Sequence, residues 1–209
     1  MSWGVFGCSF TKFKWYTWAD FLKINVKKSK NYGLSGSSNE FICRQILKHG
    51  KKHNNVVVMW SGYDRVHNDY YLNKHGYNEG RHRDNTIPQE QLLERSLEYI
   101  WLANQYCKVN NIKIYNFSMT ILEIGETKQI SPVPDYLDID HRNWSIDMTQ
   151  YCLDNPSKFS QQNLDGHPLP SQHYNYFKNI VSPIIGVDVK EIYQEHLDNF
   201  DKKAVDLCV

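Results

Sequence analysis

Asn54-Asn55-Val56-Val57-Val58-Met59-Trp60-Ser61-Gly62 is the stretch whose reading decides the fold. Its apolar run does not alternate and is rich in β-branched residues, as a parallel strand covered on both faces requires. Such a strand needs a helix on either side of it in sequence. Upstream, Phe41, Ile42, Ile46 and Leu47 mark one helical face, and Ser37 or Ser38 can cap its start. Downstream, Ser61 to Pro88 is polar, aromatic and punctuated by Gly and Asn, too long for an ordinary connection and expected to be an active-site surface loop. Pro88 then suits the first position of a helix reaching Asn110, with Leu92, Leu93, Leu97, Ile100, Trp101 and Ala103 as its stripe. A second strand-like run, Ile112-Lys113-Ile114-Tyr115-Asn116-Phe117, follows within a few residues.

Further out, Trp3-Gly4-Val5-Phe6 reads as another buried strand, and it runs directly into Gly7-Cys8-Ser9-Phe10-Thr11. Phe13, Trp18, Phe21 and Leu22 predict a helix from Thr11 to about Asn25. Asn31-Tyr32 is a short extended piece that gives way to a Gly/Ser loop from Gly33 to Asn39. Ser118 to Asn163 carries one weak helical pattern, around Ser145 to Leu153. Tyr174, Phe177, Ile180 and Val181 predict a helix over Pro170–Ile185, and Ile192, Leu197 and Phe200 give Val187–Val209 the look of an amphipathic appendage. The expected organisation is therefore one domain over residues 1–185 with a C-terminal helical appendage over 186–209. Strands alternating with long helices predict an α/β fold, a mostly parallel central sheet between two helical layers. Sites in such folds lie at the carboxyl ends of the strands, which lines up Ser9, the Gly33–Asn39 loop and Ser61–Arg65 on one edge.

Lys and Arg number 24 against 23 Asp and Glu, a formal charge of +1, so no field of one sign draws nucleic acid or an anionic membrane. Neither is expected as a partner. The clusters Lys27-Lys28-Lys30 and Lys48-Lys51-Lys52 read as solvated faces. Cys8, Cys43, Cys107, Cys152 and Cys208 are scattered and without C-x-x-C spacing, against both a disulfide framework and a structural zinc site. A reducing compartment fits them better. No leader pattern is found and no apolar run reaches about 18 residues, so a soluble, cytoplasmic protein is expected.

Ser9 is the candidate nucleophile. Gly7 permits a sharp turn after the strand, and N–H groups at the start of the expected helix would face charge developing beside the hydroxyl. The plainer alternative is a turn that uses Gly and Ser for geometry and capping alone. A nucleophilic serine needs a base, and the base needs an orienting acid. Leu164-Asp165-Gly166-His167-Pro168 offers both, with Gly166 allowing the carboxylate to bend back to the imidazole; the plainer alternative is a polar loop with an Asx-turn. Strand alternation turns Cys8 into the neighbouring layer if Ser9 faces the site. His82-Arg83-Asp84 reads as a solvated loop, and Asp138, Asp140 and His141 are adjacent without metal-ligand spacing. No metal or other cofactor is expected.

Gly7-Cys8-Ser9-Phe10-Thr11 resembles the first block of the SGNH (GDSL-like) hydrolases, written G-D-S-x-T, with Cys8 in the aspartate position. Gly33-Leu34-Ser35-Gly36 resembles the second block, and Asp165-Gly166-His167-Pro168 followed by His173 resembles the last. The resemblance spans residues 3 to about 185 in the family's order. It implies a three-layer, flavodoxin-like α/β fold and hydrolysis of an ester through an acyl-enzyme. Ser9 would be the nucleophile, His167 the base and then acid, Asp165 its orienting partner, and the N–H groups of Ser9 and Gly36 oxyanion donors. Two blocks depart from the pattern. The family's G-x-N-D is here Gly62-Tyr63-Asp64, so the asparagine donor is missing, and Ser61, Tyr63, Arg65 or a loop asparagine such as Asn68 would have to replace it. The last block has D-x-H in place of D-x-x-H; His173, in the first turn of the next helix, is expected to be structural or capping. The expected substrate is a small acyl ester of a hydrophilic alcohol such as an acetylated glycan. The alternative is a catalytically weak or inactive carbohydrate-binding or structural module on the same fold.

Overall fold

Strand β1 (Trp3–Gly7) pairs in parallel with β2 (Ser29–Asn31) on one side and with β3 (Asn55–Trp60) on the other. Beyond β3 lies β4 (Lys113–Ser118), again parallel, so the sheet order is β2-β1-β3-β4. The computed structural model describes residues 1–65, 87–120 and 147–208. Within them the α-helices longer than a single turn are α1 (Trp18–Asn25), α2 (Asn39–His49), α3 (Gln89–Val109), α4 (Met148–Asp154), α5 (Pro170–Tyr176) and α6 (Gln194–Asp206). None of the described helices is long and apolar enough to cross a membrane.

The run that decides the fold is buried along its whole length. Successive strand side chains point to opposite faces. Val57 and Met59 therefore join Val5, Tyr115 and Phe117 against Phe21 of α1 and Phe177, in the π turn (Phe177–Val181) that continues α5. Val56, Val58 and Trp60 join Phe6 on the other face, against Ile46 of α2 and Ile100 of α3. Each such apolar side chain, fully removed from water, contributes roughly 1.5–3 kcal/mol, and the buried polar Asn116 of β4 is satisfied by the Trp60 indole N–H at 2.9 Å and by Asn104 of α3. The protein is thus α/β, with helices packed on both faces of an all-parallel sheet.

From β1 the chain crosses to β2 on one side, and from β3 it crosses to β4 on the other. Ligand sites in open parallel sheets form where the strand order reverses in this way, outside the carboxyl ends. Ser9 follows β1 and Ser61 follows β3, so both leave the sheet at that point. The Gly33–Asn39 loop is tied there as well, since the Leu34 N–H donates to the Gly7 carbonyl at 3.0 Å.

Most predicted helices occur close to the expected residues; α1 starts seven residues later than expected. Its apolar spacing extends back to Thr11, but the stronger local start is Thr17, whose N–H donates to the Asp20 carboxylate at 2.9 Å while its hydroxyl donates to the Thr11 carbonyl at 2.8 Å. This reaching back of an acid three residues on belongs to capping-box chemistry. Residues 8–17 form a strap instead, opened by a turn in which the N–H groups of Thr11 and Lys12 both donate to the Cys8 carbonyl. At the other end, α6 packs on the body of the protein. Leu197 is buried in the core, and the buried Asp201 carboxylate accepts from the Ser171 N–H at 2.8 Å and from the hydroxyls of Ser171 and Ser157.

Gly7 sits at the close approach that makes the strap's turn. A Cβ added there would lie 2.1 Å from the Thr11 Oγ1 and 2.8 Å from the Met59 carbonyl oxygen, and its φ is +156°. We predict that Gly7→Ala destabilises the protein by about 1–3 kcal/mol. Urea unfolding checks it; a change below about 0.5 kcal/mol, the ordinary surface range, would show that the turn relaxes freely.

Candidate active site

Ser9 lies two residues past β1, buried at 2 % exposure. Its hydroxyl is 2.9 Å from His167 Nε2, across 158 positions of sequence. The Nδ1 of the same imidazole is hydrogen-bonded to Asp165 Oδ1. The structure thus brings Ser9, His167 and Asp165 into one line. The short D-x-H spacing is accommodated by Gly166, which adopts φ +77°, a left-handed conformation that folds the Asp165 side chain back on its neighbour but one. A Cβ at Gly166 would meet nothing within 4 Å, so the backbone angle alone calls for glycine.

Burial pushes the Asp165 carboxyl up, but hydrogen bonds from Lys14 and His167 outweigh it and hold the group below the usual carboxylate range. An ionised carboxylate only accepts hydrogen bonds. Nδ1 must therefore carry the proton, which leaves Nε2 of the neutral ring as the acceptor of the Ser9 hydroxyl. That is the arrangement a general base requires.

The loop carrying the pair is held by the strap. Lys14 Nζ is 2.9 Å from Asp165 Oδ2, the Trp15 indole N–H donates to the Pro168 carbonyl at 2.9 Å, and the Phe13 ring stacks on His167 with centroids 4.1 Å apart. Phe10 presents its edge to the same imidazole. The Asn163 side-chain amide donates to the His167 carbonyl from below the loop. No helix begins at Ser9, so the helix N-terminus expected to face the hydroxyl is not there. The 8–17 segment uses its aromatic residues to fix the His167 imidazole instead.

His173, in the first turn of α5, is 1 % exposed and lies edge-on to Phe10. Burial, with a smaller contribution from His167, lowers its pKa to about 3, so it is a neutral core imidazole with no contact to Ser9. Cys8 is fully buried in the sheet–helix layer against Met119, facing away from the serine.

The oxyanion candidates divide. Gly36 has φ +77°, and among the described residues no acceptor occupies its N–H or that of Ser9. Ser61 is fully buried and its Oγ has no hydrogen-bond partner, while its backbone is clamped by Asn39, which accepts from the Ser61 N–H at 2.8 Å and donates to the Ser61 carbonyl at 3.1 Å. The Tyr63 phenol instead donates to Gln89 of α3 at 3.4 Å, and Arg65 has one buried guanidinium nitrogen without a partner. Neither Tyr63 nor Arg65 contacts the three aligned side chains. Asn68, His82-Arg83-Asp84 and Asp138-Asp140-His141 lie outside the described residues.

A pocket of about 250 Å³ opens beside His167, with Phe10, Cys152, Leu153, Pro156 and Pro168 among its walls. Lys14, Asn163 and Asn39 were not singled out from sequence as site residues, and Phe13 was read only as part of a helical face. Only the Thr17-x-x-Asp20 pattern signalled that residues 11–16 were free to form a strap.

The chain matches none of the protein-family models, and the search of curated proteins gives no match either.

Asp165 has a testable pH signature. Its folded pKa lies below its ordinary value of 3.8, so its ion pairs contribute stability that is present above the unfolded pKa and lost as pH falls through the folded one. Wild type should exceed Asp165→Asn in urea stability by a constant margin above about pH 5, and the margin should shrink as pH falls through and below the 3.8 of the unfolded chain. A margin unchanged across that window would mean the carboxylate is not held ionised by its partners.

Proposed function

We propose that this protein is a serine ester hydrolase of the SGNH type, with Ser9, His167 and Asp165 as its catalytic triad. The observation that carries the proposal is the alignment of the Ser9 hydroxyl, 2.9 Å from His167 Nε2, with Asp165 on the far nitrogen. Strand order β2-β1-β3-β4, with helices on both faces, supports the three-layer flavodoxin-like reading that the block resemblance implies.

Ser9 Oγ attacks the ester carbonyl carbon as its proton passes to His167 Nε2, and the carbonyl π electrons move to oxygen. Asp165 stabilises the resulting imidazolium. The tetrahedral oxyanion is held by the N–H groups of Ser9 and Gly36, which have no acceptor among the described residues. The intermediate collapses by breaking the bond to the alkoxy oxygen, which leaves as an alcohol with the proton from His167. Water then repeats the sequence on the acyl-enzyme and releases the carboxylic acid.

The polar and aromatic loop sequences, without a deep run of aliphatic residues, favour a short acyl group on a hydrophilic alcohol such as an acetylated glycan over a long-chain lipid.

Steady-state hydrolysis of a short-chain aryl acetate tests the proposal. Wild type should turn the ester over, and Ser9→Ala and His167→Ala should each lower kcat by at least about 10³-fold, with thermal melts showing that both variants fold. Equal turnover by wild type and Ser9→Ala, or none by wild type, would contradict it.

A further inference from the structure

Lys14 is placed where a lysine would ordinarily count for little. It is 39 % exposed, and an exposed ion pair contributes little to stability. Its surroundings are unusual in being convergent. The ammonium is 2.9 Å from Asp165 Oδ2, donates to the Leu207 carbonyl at 3.3 Å, and lies over the rings of Trp15 and Phe13 at 5.1 and 5.6 Å. One cation therefore links the strap, the Asp165–His167 loop and the turn that ends α6. A second link runs in parallel, because Cys208 Sγ lies 3.7 Å from Asn163 Oδ1 and the amide of Asn163 supports the His167 carbonyl. Beneath both, Ala204, Val205 and Cys208 pack with Phe13, Trp15 and Leu169 in a separate apolar cluster.

We propose that Lys14 is a positioning residue, fixed by the C-terminal turn, that holds one oxygen of Asp165 so that the other faces His167; this rests on the serine-hydrolase reading above. A carboxylate bound at one oxygen only can rotate about its χ2 and offer either oxygen, or neither, to the imidazole. Binding Oδ2 to Lys14 removes that freedom. The lysine also shares the carboxylate's charge, so His167 faces less than a full negative neighbour. Around the Asp165–His167 pair, the described titratable groups are Lys14 from the strap, neutral His173 from α5 and Cys208 after α6. Of these only Lys14 brings a full charge. Its own pKa is raised, chiefly by the hydrogen bond to Asp165, so the cation persists across the range in which an imidazole titrates.

Two readouts test this in the full chain. Imidazole ¹⁵N NMR, with the His167 signals assigned by their loss in His167→Gln, follows the protonation of that ring in wild type, Lys14→Met, Lys14→Gln and Lys14→Arg. Kinetics on an aryl acetate run alongside. The expected result is that both neutral variants move the His167 midpoint upward by about 0.5 pH unit or more, since a nearby cation is lost, while Lys14→Arg stays near wild type. In the same variants kcat should fall several-fold with KM little changed, and the arginine should restore most of it. Two neutral variants guard against one failing to fold. A His167 midpoint and a kcat in either folded neutral variant equal to wild type would overturn the proposal. An upward shift in a protein without ester turnover would instead refute the hydrolase reading and leave the Lys14–Asp165–His167 coupling standing.

Discussion

The hydrogen bond between the Ser9 hydroxyl and His167 Nε2 imposes the constraint on which the rest of the structure depends. It joins residues 158 positions apart, one leaving the first strand and the other on a loop ahead of α5. Holding two such groups at 2.9 Å requires that neither backbone drift by more than a fraction of an ångström. On the serine side, rigidity comes from β1, hydrogen-bonded in parallel to both neighbours and buried on both faces. On the histidine side there is no strand, and a loop would ordinarily be the less precise support. The molecule compensates with the strap over residues 8–17.

The strap explains features that are otherwise disconnected. Gly7 has to lack a side chain because Thr11 returns so close to it. Thr17 and Asp20 set where the helix begins, and so how many residues remain for the strap. Those residues then meet the Asp165–His167 loop through an indole N–H, an aromatic face and an ammonium group, three contacts of different chemistry on one short segment. The end of α6 closes over the same region, so the strap and the last described helix converge on His167 and Asp165.

The sequence makes the sheet legible for a physical reason. A strand buried on both faces favours apolar residues at successive positions, and Val56–Trp60 stands out because no helix or half-exposed strand needs five such residues in succession. Ser9 was readable as a candidate because it stands where an apolar strand gives way to small residues, and Asp165-Gly166-His167 because it sets an acid and an imidazole one residue apart ahead of a predicted helix. What was not legible follows from residues with two possible uses. Phe13 fits a helical face by spacing, and nothing in the spacing says that it stacks on an imidazole. Lys14 is one lysine among many, and its partner lies 151 residues away. The fully buried Asn39 looks like the first polar residue of a helix, whereas both ends of its amide are spent on the backbone of Ser61. Long-range pairing of single polar residues leaves no periodic trace in sequence.

The central claim is that Ser9 is a nucleophile activated by His167, and this is separable from which ester is hydrolysed. An alkyl fluorophosphonate attacked at phosphorus forms a bond to the serine oxygen and loses fluoride, whatever the natural acyl group. The most direct measurement is therefore peptide mass spectrometry of the protein after fluorophosphonate treatment. The account predicts one phosphonyl adduct, on Ser9, formed by wild type and strongly slowed in His167→Ala. An adduct on any other residue, or an unmodified Ser9 in folded wild-type protein, would contradict it.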